Sequence, residues 1–76
     1  MIEELDSVVL THDVDENGLK EGDVGAVVHR YPEGKAFEVE FVAAGGKTIA
    51  QLTLEESDIR PISSSEILHV RELTSV

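Results

Sequence analysis

Strict alternation of apolar and acidic residues marks the stretch Phe37-Glu38-Val39-Glu40-Phe41. A period of two places the three apolar side chains on one face of a β-strand and the two carboxylates on the other. The stretch therefore predicts a strand with one buried face and one face in water.

Four further segments predict strands on either side of this stretch. They cover about residues 6–11, 24–31, 47–54 and 59–62, and glycine or proline punctuates the connections between them. A single 3₁₀ turn is expected over residues 55–58, because this segment is too short and polar for an independent helix. Gly25 indicates either a close backbone approach or a bulge, and a bulge would turn both Val24 and Val27 toward the core.

Two connections have recognisable turn patterns. The tetrad Tyr31-Pro32-Glu33-Gly34 favours a type I turn, and Gly45-Gly46 favours a tight hairpin turn with positive φ values. The strands that these turns join predict one shared core. Its expected members are Phe37, Val39, Phe41, Val8, Leu10, Val27, Leu52 and Leu54.

The composition changes after Ile62. Ser63 and Glu66 have the spacing of a capping box, which predicts a short helix over about residues 64–73. A strand is the alternative, because Leu68 and Val70 alternate with polar residues. We divide the chain into a barrel over residues 1–62 and a tail over residues 63–76.

Size and charge limit the classes of protein that fit. A chain of 76 residues forms one small domain, which needs a closed sheet or a partner for stability. The absence of cysteine excludes disulfides and thiolate zinc sites. Six basic and sixteen acidic residues give a formal net charge of −10, which repels nucleic acid and anionic membranes and favours a basic partner.

The sequence also indicates where in the cell the protein is located. No apolar run approaches the ~20 residues that span a bilayer. The start Met1-Ile2-Glu3-Glu4 lacks the basic residues of a secretory signal. We expect a cytoplasmic protein without a membrane partner. The sequence is compatible with either a monomer or a small homo-oligomer.

Five strands, a long first loop and a 3₁₀ turn before the last strand are typical of a small SH3-like barrel. The segments at residues 19–28, 31–34 and 37–41 resemble a family of small stand-alone bacterial domains of unknown function over about residues 8–62. This resemblance implies an all-β fold, a small five-stranded SH3-like barrel, to which the sequence after Ile62 adds a short C-terminal helix or tail. It also implies an antitoxin- or immunity-like role, because genes of that family can lie beside genes for toxin-like proteins.

A second resemblance concerns Gly22, Gly25 and Val27, whose spacing is similar to the KOW element of ribosomal and transcription proteins. That resemblance implies contact with nucleic acid. The chain departs from KOW modules in charge, because those modules present lysine and arginine where this chain is acidic.

The first loop resembles half of a calcium site. Asp13, Asp15, Asn17 and Gly18 follow the spacing of an EF-hand loop, but Val24 stands where the bidentate glutamate should be. Turns rich in Asp and Asn also form for backbone reasons alone. We expect no calcium site of physiological strength and no cofactor.

No arrangement in the sequence favours catalysis. Nucleophilic chemistry needs an activated side chain with a base in reach, and a barrel of this size has little volume for a pocket. We therefore expect a non-enzymatic module that binds a basic protein through an acidic surface, with a KOW-like nucleic-acid or ribosome accessory module as the alternative. The acidic surface comprises Asp13, Asp15, Glu16, Glu38, Glu40, Glu55 and Glu56.

Overall fold

A computed structural model describes residues 2–33 and 35–73 of the chain. It contains five strands, which are β1 (Ser7–Leu10), β2 (Val24–Arg30), β3 (Ala36–Val42), β4 (Thr48–Glu55) and β5 (Ile59–Pro61). Two 3₁₀ turns accompany them, the first at Asp15–Asn17 and the second at Glu56–Asp58. The all-β prediction and the 3₁₀ turn before the last strand are confirmed.

All five strands pair antiparallel in one sheet of order β4-β3-β2-β1-β5. The last strand thus pairs with the first. Within the described residues, no pairing joins β5 to β4, so both strands keep a free edge. The long connection between β1 and β2, residues 11–23, is called the first loop below.

The core lies on the face predicted by the alternation in β3. Seven of the eight predicted core residues are buried, and Leu52 is partly buried against them. The cluster also includes Ile2, Leu19, Ala50 and Ile59, which had not been predicted. Ile2 and Leu19 come from irregular segments, where no periodic pattern marks a residue as inward-facing.

Gly25 permits a close approach of β2 to the core. A Cβ atom at this position would lie 2.7 Å from Val39 Cγ1 and 2.8 Å from Phe41 Cε2. The prediction of a close backbone approach is therefore correct, whereas the predicted bulge lies elsewhere. The register shift falls between Val27 and His29, and Val24 consequently stays exposed instead of facing the core.

The hairpin between β3 and β4 turns at Ala43–Lys47. Gly46 has a φ of 96°, which only glycine adopts without strain. A positive φ was also predicted for Gly45, but Gly45 does not adopt one. The other predicted turn includes Gly34, which lies outside the described residues. Its neighbour Glu33 has a φ of 83°.

The predicted C-terminal helix is wrong for the described residues. Only a turn forms at Ser64–Ser65, and residues 66–73 belong to neither a helix nor a strand. Half of the capping box is present, because the Glu66 carboxylate accepts a hydrogen bond from the Ser63 amide at 2.6 Å. The other half is missing, since the Ser63 hydroxyl accepts from the Ser65 amide, and Glu66 is also held by Arg60. The alternative of an irregular tail is the one observed over residues 63–73, while Thr74 to Val76 lie outside the described residues.

Candidate functional site

The first loop gathers part of the predicted acidic surface around one lysine. The Lys20 ammonium lies 3.2 Å from Asp15 Oδ1 and 3.9 Å from Asp13 Oδ2. The other oxygen of Asp13 accepts a hydrogen bond from the Glu21 amide at 2.8 Å. Glu16 is exposed on the 3₁₀ turn at the tip of the same loop. This part of the loop therefore presents carboxylates on its surface with a single internal cation among them.

The position of Lys20 argues against calcium binding by the first loop. An ammonium group contacts the two carboxylates, Asp13 and Asp15, that a cation would need as ligands. Across residues 2–33 and 35–73, no three His, Asp or Glu side chains are arranged to hold a metal ion. Side chains of the loop itself stabilise it, and Gly18 adopts a left-handed φ of 72° at the end of the first 3₁₀ turn.

His12 joins the first loop to the second 3₁₀ turn. Its Nε2 lies 2.8 Å from Asp58 Oδ1, and its Nδ1 lies 2.9 Å from the Asp13 carbonyl. The Thr11 hydroxyl adds a bond to the Ser57 carbonyl at 2.9 Å. These contacts place the acidic turn that carries Glu56 beside the acidic loop, although the two are more than forty residues apart in sequence.

Both partners of this contact have shifted pKa values. Hydrogen bonds to the Asp58 carboxylate and to the Asp13 carbonyl raise the pKa of His12 above 6.5. The Glu55 amide, followed by His12, lowers the pKa of Asp58 below 3.8. At pH values between 3.8 and 6.5, the His12 imidazolium and the Asp58 carboxylate are therefore both charged, and the loop and the turn attract each other.

Glu38 and Glu40 lie on the outer face of the sheet, as predicted, but neighbouring side chains already hold their carboxylates. Glu38 accepts hydrogen bonds from the hydroxyls of Thr53 at 2.6 Å and Tyr31 at 3.2 Å. Glu40 accepts one from the Thr48 hydroxyl at 2.7 Å. The Thr53 bond is the main cause of the lowered pKa of Glu38, so this carboxylate keeps its charge.

Glu55 shares this outer face, since it pairs with Ala36 two residues before Glu38. The predicted acidic surface therefore has two parts. One is the sheet face with Glu38, Glu40 and Glu55, and the other is the junction of the first loop with the second 3₁₀ turn. Glu55 and Glu56 lie where β4 runs into that turn, and both are exposed.

Two ion pairs, which the sequence did not indicate, attach the tail to the rest of the domain. Arg60 of β5 donates two hydrogen bonds to the Glu66 carboxylate, at 2.9 and 2.7 Å. Arg71 donates from Nε to Asp23 Oδ1 at 2.8 Å, from Nη2 to Asp23 Oδ2, and from Nη2 to the Gly18 carbonyl at 3.0 Å. The spacing of these residues in sequence gives no signal of either pair, because both depend on tertiary folding.

The two pairs lead the tail across one face of the sheet. Arg60, Val9 and Val24 pair side by side on β5, β1 and β2, and so share that face. Val9 is only 5% exposed although it lies outside the core cluster. The far end of the tail borders a groove of about 530 Å³, together with Val24, Val42 and Arg71.

Between its two attachments the tail presents apolar side chains to solvent. Ile67 is 93% exposed, Leu68 is 73% exposed and Val70 is 89% exposed. Isolated exposed aliphatic residues are common, but three within four residues form a patch of the kind found at interaction sites. The alternation of Leu68 and Val70 with polar residues was visible in the sequence, whereas the exposure of the three side chains was not.

Comparison with known proteins agrees with this description of a small all-β domain. A family model described as a domain of unknown function, DUF4926, matches residues 4–61, and the chain belongs to that family. The match ends at the last residue of β5, so the tail lies beyond it. No curated protein and no solved structure matches the chain.

One further finding concerns membranes. No helix in the described part of the chain is long and apolar enough to cross a bilayer.

Proposed function

We propose that this domain is a non-enzymatic interaction module that binds a basic protein partner through its acidic surface, in an antitoxin- or immunity-like role. The observation that carries the proposal is the internal neutralisation of cations. Among the residues that the structure describes, Lys20, Arg60 and Arg71 form ion pairs within the domain. The chain has ten more acidic than basic residues, and the carboxylates that remain unpaired dominate the field outside the molecule.

The junction of the first loop and the second 3₁₀ turn is the part of the acidic surface best suited to a partner. Asp15, Glu16 and Glu56 are exposed there. Glu38 and Glu40 are less suited, because hydrogen bonds from Thr53 and Thr48 already satisfy part of their capacity. We therefore assign the first contact with the partner to the junction.

The charge layout gives the nucleic-acid alternative little support. Lys35 precedes β3 and Lys47 precedes β4, so the two lie at opposite ends of the hairpin. A module that tracks a phosphate backbone groups its cations on one face. We favour a protein partner for this reason.

The absence of catalytic activity is part of the same proposal. The carboxylates of Glu38 and Glu40 lie along one outer strand face and accept hydrogen bonds from hydroxyl groups. General acid and base groups act within reach of a bound substrate in a concave site. The groove beside the tail is bordered mainly by apolar residues, which suits packing better than acid–base chemistry.

Affinity capture from the native host tests the proposal. The intact domain is used as bait, captured proteins are identified by mass spectrometry, and each is then titrated in purified form. We expect a basic protein whose binding is lost in Asp15→Lys/Glu16→Lys. The matched control is Glu3→Lys/Glu33→Lys, which changes the net charge equally at positions outside the junction and should leave most of the affinity. Partners without basic character, or equal losses in both variants, would contradict the proposal.

A further inference from the structure

The tail between its two attachments is an exposed apolar segment with unused backbone groups. Ile67 and Val70 are almost fully exposed and Leu68 is 73% exposed, and residues 67–72 make no backbone hydrogen bond to the described residues. The ion pairs of Arg60 with Glu66 and of Arg71 with Asp23 fix both ends. A segment held in place at both ends loses less conformational entropy on binding than a free chain does.

Such a segment has the properties of a strand that is added to another sheet. In strand addition, main-chain hydrogen bonds supply affinity, and pockets for the side chains supply specificity. Exposed aliphatic residues beside free amide and carbonyl groups match both requirements. We propose that residues 67–70 dock against an open sheet edge of the basic partner, with Ile67, Leu68 and Val70 as apolar anchors.

The charge of the chain favours a basic partner over a second copy of the chain as the protein that binds this segment. Two copies would bring together domains that each carry a formal charge of −10, and they would repel each other. Three aliphatic side chains from each copy would also bury less area than the ~1,200 Å² typical of stable interfaces. A basic partner gains from the same charge that opposes self-association, so the inference rests on the proposed function for the sign of the partner's charge.

A synthetic peptide serves as the probe. A peptide of about twelve residues that alternates Val and Lys is titrated into the intact, isotopically labelled domain, and the amide signals are followed by NMR. We expect shifts at residues 66–72 and at least a tenfold weaker affinity for Ile67→Ser/Leu68→Ser/Val70→Ser. The control Leu5→Ser/Val28→Ser removes exposed apolar residues elsewhere and should bind as the wild type does. Melting curves confirm that both variants fold, since neither touches the buried core.

Five outcomes would overturn the inference. Shifts confined to β4 or to the first loop would place the binding elsewhere, and the absence of any shift would remove it. Equal binding of a peptide that alternates Ser and Lys would show that charge alone acts, which leaves the proposed function standing while this inference fails. Equal binding of a peptide that alternates Val and Glu would remove the preference for a basic partner. Sedimentation of a dimer that Leu68→Ser abolishes would show that a second copy is the occupant.

Discussion

The guanidinium of Arg71 binds the carboxylate of Asp23 through two nitrogens, across 48 residues of sequence. Burial alone would raise the pKa of Asp23, but Arg71, assisted by the Lys20 amide, outweighs that effect and lowers it. The same arginine reaches the Gly18 carbonyl. One side chain thus attaches the tail to two points of the first loop, Gly18 and Asp23.

The first prediction concerns this attachment. Arg71→Ala leaves the half-buried carboxylate of Asp23 without its cation, and we expect a loss of ~1 to 3 kcal/mol in the free energy of unfolding. Amide hydrogen exchange of residues 67–72 should also accelerate, because the tail is released. The control is Lys47→Ala, which removes a cation that forms no ion pair with the described residues. Unchanged exchange in Arg71→Ala would contradict the proposed attachment.

The second prediction concerns the core. Phe41 is 3% exposed on β3, and Phe41→Ala should cost ~3 to 5 kcal/mol by leaving a cavity. A domain of this size has little surplus stability, so the variant should lose its cooperative thermal transition. A variant that melts cooperatively at the wild-type temperature would refute the core assignment.

The third prediction concerns Gly25. In Gly25→Ala, the new methyl group would overlap Val39 Cγ1 and the Phe41 ring, neither of which has room to move in the packed core. We expect a loss of ~1 to 3 kcal/mol from overpacking. Gly45→Ala is the matched control, because a Cβ atom there meets nothing within 4 Å and the φ of Gly45 is not positive. Equal denaturation midpoints for the two variants would show that Gly25 is not required for close packing.

The strands were predictable because their signals are local. Phe37, Val39 and Phe41 alternate with glutamates, and this pattern alone fixes the inner face of β3. Val24 was misplaced, since the position of a bulge depends on the pairing of β2 with β3 rather than on the sequence of β2. Local pattern thus determined the elements, and tertiary pairing determined the irregularities between them.

The tail shows the limit of local reasoning most clearly. Ser63 and Glu66 have the spacing of a capping box, yet the Glu66 carboxylate also binds Arg60, and the chain continues to Arg71 as an irregular segment. Ion pairs between distant residues leave no periodic signal, so neither attachment could be predicted. The sequence also does not show which acidic side chains accept hydrogen bonds. The bond from Thr53 to Glu38, for example, depends on the register between β3 and β4.

The fourth prediction concerns pH. The two bonds from Arg60, followed by the Ser63 amide, lower the pKa of Glu66 to about 2 from an ordinary value of 4.5. Because the folded-state pKa is depressed, the stabilisation is fully present above pH 4.5 and is lost as the pH falls toward about 2. Carboxyl ¹³C NMR titration should find this low value in the wild type and a higher one in Arg60→Gln. Lys47→Gln, the control for loss of a cation elsewhere, should leave it unchanged, and a wild-type Glu66 titrating near its ordinary value would contradict the ion pair.

The last prediction concerns how fast a partner associates. Attraction between the acidic junction and a basic protein should speed association at low salt, and screening beyond the ~8 Å Debye length should slow it at 0.15 M and above. Asp15→Lys/Glu16→Lys should lower the association rate while leaving the melting temperature nearly unchanged, because the Lys20–Asp15 ion pair that it removes is exposed and the relief of repulsion among the other carboxylates opposes that loss. Glu38→Lys/Glu40→Lys tests the sheet face in the same way and should have the smaller effect.

Stopped-flow association of the captured basic partner with the intact domain, measured across salt concentrations, tests the central claim most directly. The account predicts a rate that falls steadily with added salt, and a weaker dependence on salt for Asp15→Lys/Glu16→Lys than for the wild type. A rate that is independent of salt, or an equal dependence in the wild type and in this variant, would contradict binding through the acidic junction.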